Sequence, residues 1–193
     1  ISFIAGAAVQ WVRDSLGMIK DSAEIETLAK QVKSSEGAVF VPALTGLGAP
    51  YWNPEATAML TGITRGTTRA HLARAVLEGI AFQIADLLTA MQKDLGKKKL
   101  IGLNVDGGAS ANNLLMQFQA DILGVELRRP QFLESTSLGA IFAAGLGAGI
   151  WTSLKQIKKT WKEDRTFQPT LSQSGRNKEL TRWINAVKRV NLK

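Results

Sequence analysis

Stretches in which apolar residues recur at helical spacing alternate along the chain with short apolar runs, and together they predict a mixture of helices and strands. The longest regular stretch spans residues 68–91, where apolar residues recur mainly every three or four positions, as on one face of a helix. Similar spacing predicts helices at 6–16, 22–32, 112–123 and 135–150, and short apolar runs predict strands at 38–41, 58–63, 100–105 and 125–128. Because strands and helices alternate through the second half, we expect an α/β fold whose sheet carries helices on both faces.

Individual residues predict the cap of one of these helices and the packing of another. Ser22 is expected to cap the helix at 22–32, with Glu24 and Glu26 in its first turn. The helix at 135–150 contains four glycines, which predict close packing against a sheet or another helix: Gly139, Gly145, Gly147 and Gly149.

The C-terminal residues 173–193 predict a basic helix docked on the rest of the chain. Its apolar positions repeat at helical spacing, at Leu180, Trp183, Ile184 and Val187. Its basic positions take the other, solvated face, at Lys178, Arg182, Lys188 and Arg189. The net charge of +8 comes entirely from residues 155–193, which carry 11 basic and 3 acidic side chains, since residues 1–154 carry 13 of each. No aromatic-basic pattern accompanies the charge, so we expect no nucleic-acid partner.

Composition narrows the class of protein. A chain of 193 residues with 45% apolar residues is long enough for a single domain, which we expect to span 1–193. It has no cysteine and one histidine, which excludes disulfides and thiolate metal sites and suits the cytoplasm. No apolar run reaches the length of a membrane span, so we expect no membrane partner. Because the first residue is Ile1 rather than Met, we expect the chain to be a piece of a longer one.

The segment 103–119 is the strongest candidate for a binding site. An apolar strand ends at Asp106, and Gly107 and Gly108 then lead into a helix. Glycines let the backbone approach a ligand closely, and a helix start offers free N–H groups, so a nucleotide suits this turn. The turn can equally be a tight connection without a ligand. Asp106 is the best-placed acid, at the end of a strand, with capping of the turn as its alternative role.

Other candidate chemistry is sparse. The Gly- and Pro-rich stretch 42–53 predicts a long irregular loop, and long loops in compact domains are often functional. His71 lies in the first turn of the long helix between Arg69 and Arg74, which favours a surface or capping role over catalysis. The sequence contains no Walker A motif, Gly-x-Ser-x-Gly elbow, His-Glu-x-x-His motif or Asp-x-Gly-Thr phosphate loop.

These residues together resemble the C-terminal half of the FGGY carbohydrate kinases over essentially the whole chain. The second signature of that family is filled by Ala58, Leu60, Gly62, Ile63, His71, Leu72, Ala75, Val76, Leu77 and Glu78. Three further motifs resemble the glycerol-phosphorylating members more than the pentulose kinases, and they begin at Phe3, Thr45 and Asp106. The chain departs from the family pattern at Asn53, where Asp is usual, and at 56–58, where Ala-Thr-Ala replaces Ala-Arg-Gly.

The resemblance implies an actin-like, ribonuclease H-like ATPase fold in two lobes, with ATP and Mg²⁺ in the cleft between them. It assigns nucleotide contacts to Gly6, Gln10, Gly108 and Asn112. Residues four apart share one helical face, so Gly6 can admit the ligand while Gln10 hydrogen-bonds it. The catalytic base and most of the glycerol site belong to the N-terminal lobe, so no catalytic residue is expected in this chain. The resemblance also implies that the complete enzyme assembles from identical subunits.

Two other functions stay open at this point. A related sugar or polyol kinase of the same family carries the same motifs. A non-catalytic nucleotide-binding module of actin type would bind ATP without polyol-dependent turnover.

Overall fold

The computed structural model describes residues 5–96 and 100–191, which form seven α-helices and five strands. The helices are α1 Gly6–Asp14, α2 Glu24–Ala29, α3 Arg69–Asp94, α4 Asn113–Leu123, α5 Ser135–Gly147, α6 Leu154–Lys158 and α7 Gln173–Val190, and a short 3₁₀ helix covers Gly108–Ala111. The strands are β1 Val39–Val41, β2 Met59–Thr61, β3 Gly102–Asn104, β4 Glu126–Pro130 and β5 Glu163–Phe167. All the helices and strands predicted from the periodicity are therefore confirmed, with shorter bounds at several ends.

The strands form two small sheets. Strands β1 and β2 pair antiparallel, with Phe40 opposite Leu60. Strands β3 and β4 pair in parallel, joined by α4, and β5 adds to the other edge of β4 antiparallel. Strand β5 was not predicted, because only Phe167 of its five residues is buried and the rest are polar or charged. An exposed edge strand gives no apolar alternation for sequence analysis to detect.

Helix α3 is the central element, and α1, α2, α4, α7 and β1 all pack against it. At Gly79 the helix lies so close to β1 that a Cβ atom would be 2.3 Å from the Phe40 carbonyl oxygen. Phe40 in turn stacks on Trp11 of α1, with ring centroids 5.4 Å apart. The absence of a side chain at position 79 thus allows the helix to reach the sheet.

Helix α7 packs with Trp183, Ala186 and Val187 buried, and the Trp183 ring stacks on Phe82 of α3 at 5.2 Å. Two details of the predicted faces are wrong. Ile184 is 44% exposed rather than buried. Arg182 does not lie on a solvated face, because it donates hydrogen bonds to Glu78, Ser35 and the Ala38 carbonyl. We assigned Arg182 to the solvated face because it is charged, but the buried Glu78 carboxylate of α3 binds its guanidinium in the interior.

The two sides of the β3–β4–β5 sheet differ. Helix α4 packs on one side, while α5 lies across a cavity of about 480 Å³ from Asn104 and Arg128 on the other. The expectation of helices on both faces is therefore confirmed, but only one face is tightly packed. The predicted packing of the four glycines at 139–149 against a sheet or another helix is wrong: Gly145 is close-packed, but against Trp151 just after α5, where a Cβ would be 2.2 Å from the ring, and the other three glycines face open space.

The predicted loop at 42–53 is confirmed as irregular chain tied to α3 and α7. The Tyr51 hydroxyl and the Trp183 indole both donate to one carboxylate oxygen of Asp86, at 2.7 and 2.6 Å. Burial raises the pKa of Asp86, which the two hydrogen bonds oppose, and burial next to Asp86 raises the pKa of Tyr51. The amide of Asn53 donates to Asn191, a bond that the usual Asp could not make while ionised.

Among the described residues, no helix has both the length and the apolar character of a membrane span.

Candidate functional site

The four residues to which the family resemblance assigns nucleotide contacts line one cleft of about 610 Å³. Gly6 and Gln10 reach it from α1, and Gly108 and Asn112 from the turn between β3 and α4. The two pairs are about a hundred positions apart in the chain, and α3 brings them together because it packs against both α1 and α4. The volume is within the range of about 300–1,000 Å³ that small-molecule sites occupy.

The turn has a defined backbone geometry. Gly107 has φ +79°, the left-handed region that favours glycine, and its N–H donates to the Leu133 carbonyl at 2.7 Å. Its own carbonyl accepts from the N–H and the hydroxyl of Ser110, at 3.0 and 2.7 Å. Gly108 begins the 3₁₀ helix and is exposed, and a Cβ built there meets no atom within 4 Å. Position 107 thus needs glycine for the backbone, whereas the space above position 108 is free for a ligand.

Asn112 also caps a helix, which sequence analysis missed. Its side-chain oxygen caps α4 by accepting the Leu115 N–H at 2.9 Å. Its amide nitrogen makes no hydrogen bond within the described part of the chain. Asn112 can therefore donate two hydrogen bonds to a ligand, and its oxygen retains one lone pair.

The start of α4 is less available than the sequence suggested. The Asn113 N–H donates to a carboxylate oxygen of Glu26 at 3.1 Å, and the Leu115 N–H is taken by Asn112. A carboxylate at this position also offsets the positive end of the helix dipole. The expectation of free N–H groups at this helix start is therefore wrong for Asn113 and Leu115, and Glu26 from α2 occupies a position that a phosphate would use.

The α1 side of the cleft is open. Gly6 is the first residue of the helix, and a Cβ there meets nothing within 4 Å. Gln10 is exposed one turn later, and no hydrogen bond engages its amide within residues 5–96 and 100–191. Both residues therefore face the cleft with unused capacity: space at one and donors and an acceptor at the other.

The cleft has an apolar wall that sequence analysis did not identify. It is formed by Val9, Ile25, Leu77 and Leu115, with Ser22 and Glu26 at its polar edge. Ser22 was expected to cap α2, but Ala23 holds the cap position and the Ser22 hydroxyl instead accepts from Arg13 at 3.2 Å. An apolar residue facing a cleft has the same periodicity as one facing the core, so the sequence carries no signal that separates them.

Two other candidates have structural partners. His71 caps α3 through its Nδ1, which accepts the Thr68 N–H at 3.0 Å, so the capping role is confirmed, although the ring is buried rather than on the surface. Asp106 accepts a hydrogen bond from the Ser135 hydroxyl and lines the cleft. Within the described ranges, no three His, Cys, Asp or Glu side chains converge as a metal site would need.

Comparison with solved structures defines the class of protein. The fold resembles Plasmodium falciparum glycerol kinase with ADP, at a TM-score of 0.87 and 35% identity, covering 97% of this chain and 37% of that one. It also resembles a ligand-bound xylulose kinase from Lactobacillus acidophilus, at a TM-score of 0.78 and 24% identity, covering 97% of this chain and 38% of that one. The fold is thus that of the actin-like, ribonuclease H-like sugar kinases, as predicted.

Sequence comparison gives the family. Residues 2–148 match the C-terminal domain of the FGGY family of carbohydrate kinases. The chain is 56% identical over 189 residues to glycerol kinase of Bdellovibrio bacteriovorus and 58% identical over 188 residues to that of Myxococcus xanthus, covering 98% and 97% of this chain. It belongs to the FGGY family of carbohydrate kinases. It spans about 38% of the length of these two relatives.

Proposed function

We propose that this chain is the ATP-binding C-terminal lobe of a glycerol kinase, and that Gly6, Gln10, Gly108 and Asn112 contact the nucleotide. The observation that carries the proposal is that these four residues, in two pairs about a hundred positions apart, line one cleft. The identity to glycerol kinases over nearly the whole chain supports glycerol as the phosphoryl acceptor.

The chemistry of the cleft suits the adenosine part of ATP rather than its phosphates. Its apolar wall can cover a flat base, and Gly108 leaves room for a ring to lie against the backbone. The amide of Asn112 has donors to spare, which fits a ring nitrogen or a ribose oxygen as its acceptor. Glu26 and Asp106 are also at the cleft and would repel phosphate groups.

The reaction proposed for the complete enzyme is phosphoryl transfer. A hydroxyl oxygen of glycerol attacks the γ-phosphorus of ATP and its proton passes to the catalytic base of the N-terminal lobe, while the bond from phosphorus to the bridging oxygen breaks and ADP leaves. This lobe contributes binding and orientation of the adenosine, so that the γ-phosphoryl lies in line with the acceptor. We assign no catalytic residue and no Mg²⁺ ligand to this chain. The use of Mg²⁺, the cytoplasmic location and assembly from identical subunits stay predictions.

A second surface supports the idea that this lobe works with a further part of the enzyme. Helix α5 is the most apolar helix of the chain, yet Gly145 is its only buried residue among those described. An exposed apolar surface of this kind marks an interaction site. We propose that residues 1–193 form one domain and that the N-terminal part of the kinase covers α5.

The test joins the N-terminal part of Bdellovibrio bacteriovorus glycerol kinase to this chain, here called the joined enzyme. We expect it to form glycerol 3-phosphate from ATP and glycerol in a coupled assay, and the 193-residue chain alone to form none. ADP binding to the 193-residue chain is measured by calorimetry. Binding without turnover in the joined enzyme would favour the non-catalytic module, preference for another polyol would favour a related kinase, and turnover by the chain alone would contradict the two-lobe division.

A further inference from the structure

We propose that Arg129 is a positioning residue for the nucleotide turn: its buried guanidinium holds the carbonyls of Ser110 and Ala111 and so fixes Gly108 and Asn112 at the cleft. The inference rests on the proposed function, because it assigns a supporting residue to the same site. Arg129 is on β4, lines no part of the cleft itself and was not among the candidates from the sequence.

Arg129 is a buried charged residue whose guanidinium is hydrogen-bonded on two sides. Only 8% of the residue is exposed, and charged side chains are rarely buried unless they are paired and hydrogen-bonded. One terminal nitrogen donates to the Ser110 carbonyl at 2.7 Å and to the Ala111 carbonyl at 3.2 Å. The rest of the guanidinium pairs with Asp164 of β5 at 2.7 and 2.8 Å and lies 5.3 Å from the centre of the Phe167 ring.

The topology explains why Arg129 meets the turn. Strands β3 and β4 are parallel, with Asn104 opposite Arg128, so the residue after Arg128 lies where the chain leaves β3 for the turn. The carboxyl ends of parallel strands meet at one edge, and a side chain from one strand can support the loop that follows its neighbour.

The two carbonyls are the last before Asn112, which is where the chain changes from the 3₁₀ helix to the cap of α4. Asn112 has φ −75° and ψ 109°, and its orientation depends on the residues just before it. With both carbonyls turned toward Arg129, the backbone between Gly108 and Asn112 has one arrangement. A loosened turn would have to be ordered at the moment of binding, which lowers affinity.

The guanidinium fork is essential to this geometry. It bonds two carbonyls on one side and a carboxylate on the other, whereas a lysine ammonium is a point charge on a flexible stem. Arg129→Lys therefore retains the charge beside Asp164 but not the simultaneous contacts. Arg128 offers a matched control, because it is adjacent on the same strand, exposed, and paired with Glu126 rather than with the turn.

The experiment measures ADP binding by calorimetry and hydrogen exchange of the backbone amides at 108–113 in the 193-residue chain, and KM values in the joined enzyme. For Arg129→Lys we expect about tenfold weaker ADP binding, a matching rise in KM for ATP, an unchanged KM for glycerol, and faster exchange at Ser110 and Asn112. Arg128→Ala should change none of these.

Three results would overturn the inference. Wild-type ADP affinity and exchange in a folded Arg129→Lys variant would show that the turn does not depend on the guanidinium. Equal effects on KM for ATP and for glycerol would show a general loss of structure instead of positioning. If Arg129→Lys fails to fold, Asp164→Asn provides the test, because the Asp164 side chain is 44% exposed and its substitution should be tolerated. Unchanged ADP affinity and unchanged amide exchange in Asp164→Asn would reject the proposal. A wild-type chain that binds no ADP would overturn the proposed function itself.

Discussion

The cleft and the contact between α3 and α7 use similar polar residues in opposite ways. Between the helices, Glu78 is 5% exposed and accepts hydrogen bonds from Ser35, Arg74 and Arg182 at 2.7 to 3.1 Å. In the cleft, Gln10 makes no hydrogen bond within the described residues and Asn112 uses only its oxygen. The polar groups between α3 and α7 are hydrogen-bonded within the protein, whereas those in the cleft have donors and acceptors available for a ligand.

This difference separates stability from binding. A buried polar group with all its partners contributes to a single folded arrangement, and removing one partner leaves the others unsatisfied. A polar group with spare donors at an open cleft costs nothing while water solvates it and can be used by a ligand. Mutations in the first region should therefore change unfolding, and mutations in the second should change affinity.

The largest effect is expected from Glu78→Ala, which leaves Arg74, Arg182 and Ser35 without their shared acceptor. Breaking a buried ion pair costs about 3 kcal/mol of unfolding free energy, while ADP affinity of the folded variant should not change. Chemical denaturation followed by circular dichroism measures the loss. Glu179→Ala is the control, because Glu179 pairs with Arg182 at the exposed end of the network and should cost less than about 1 kcal/mol. Equal losses in the two variants would contradict the assignment.

Gly108→Val should separate binding from stability in the other direction. A Cβ at this position meets no protein atom within 4 Å, so we expect an unchanged melting temperature. It occupies the space proposed for the base, so ADP affinity should fall at least about tenfold, or about 1.4 kcal/mol. Gly139→Val on α5 is the matched control, since it also faces open space but lies outside the cleft. Unchanged ADP affinity in Gly108→Val would remove the turn from the nucleotide site.

Substitutions at Asn112 test a residue that caps α4 and that we also propose to contact the nucleotide. Serine can still cap α4 but has no amide donor, whereas alanine does neither. Both variants should lose about 0.5–1.5 kcal/mol of ADP binding, and only Asn112→Ala should also lose about 1 kcal/mol of stability. Calorimetry and thermal melting distinguish the two losses. Equal stability of the Ser and Ala variants would show that the cap contributes nothing.

The smallest effect is expected from Asp86→Asn, which probes the loop anchor through pH. Burial raises the pKa of Asp86 in the folded protein, so the folded state binds its proton more tightly than the unfolded chain does. Wild type should therefore gain stability relative to Asp86→Asn as the pH falls from neutral through the raised pKa toward the ordinary carboxylate range. Two hydrogen bonds to the same carboxylate oppose the shift and keep the effect small. Asp94→Asn, at an exposed carboxylate, is the control, and a difference that grew with rising pH would reverse the interpretation.

The features of the cleft and of the α3–α7 contact that could be predicted from the sequence depend on neighbouring residues. The period of apolar residues located α3 and α7, and the Asp-Gly-Gly turn before a helix identified half of the cleft. Family resemblance supplied the other half, Gly6 and Gln10, because nothing in the spacing of residues links position 6 to position 108. Arg182 and Arg129 were not recognised for the same reason: a charged residue in a helix or strand has the same local pattern whether its partner is water or a buried carbonyl.

The sequence by itself determined the order of helices and strands, the turn that needs glycine at 107, the excess of basic charge at the C-terminal end, and the resemblance to a kinase family. These features depend on neighbouring residues, and the period of a helix or strand is a neighbour property. Only the tertiary structure decided that α1 and the turn share a cleft, that Glu26 fills the start of α4, and that Arg129 lies beneath the turn. Those contacts join residues between 18 and 106 positions apart, where packing, burial and competition for hydrogen bonds determine the outcome.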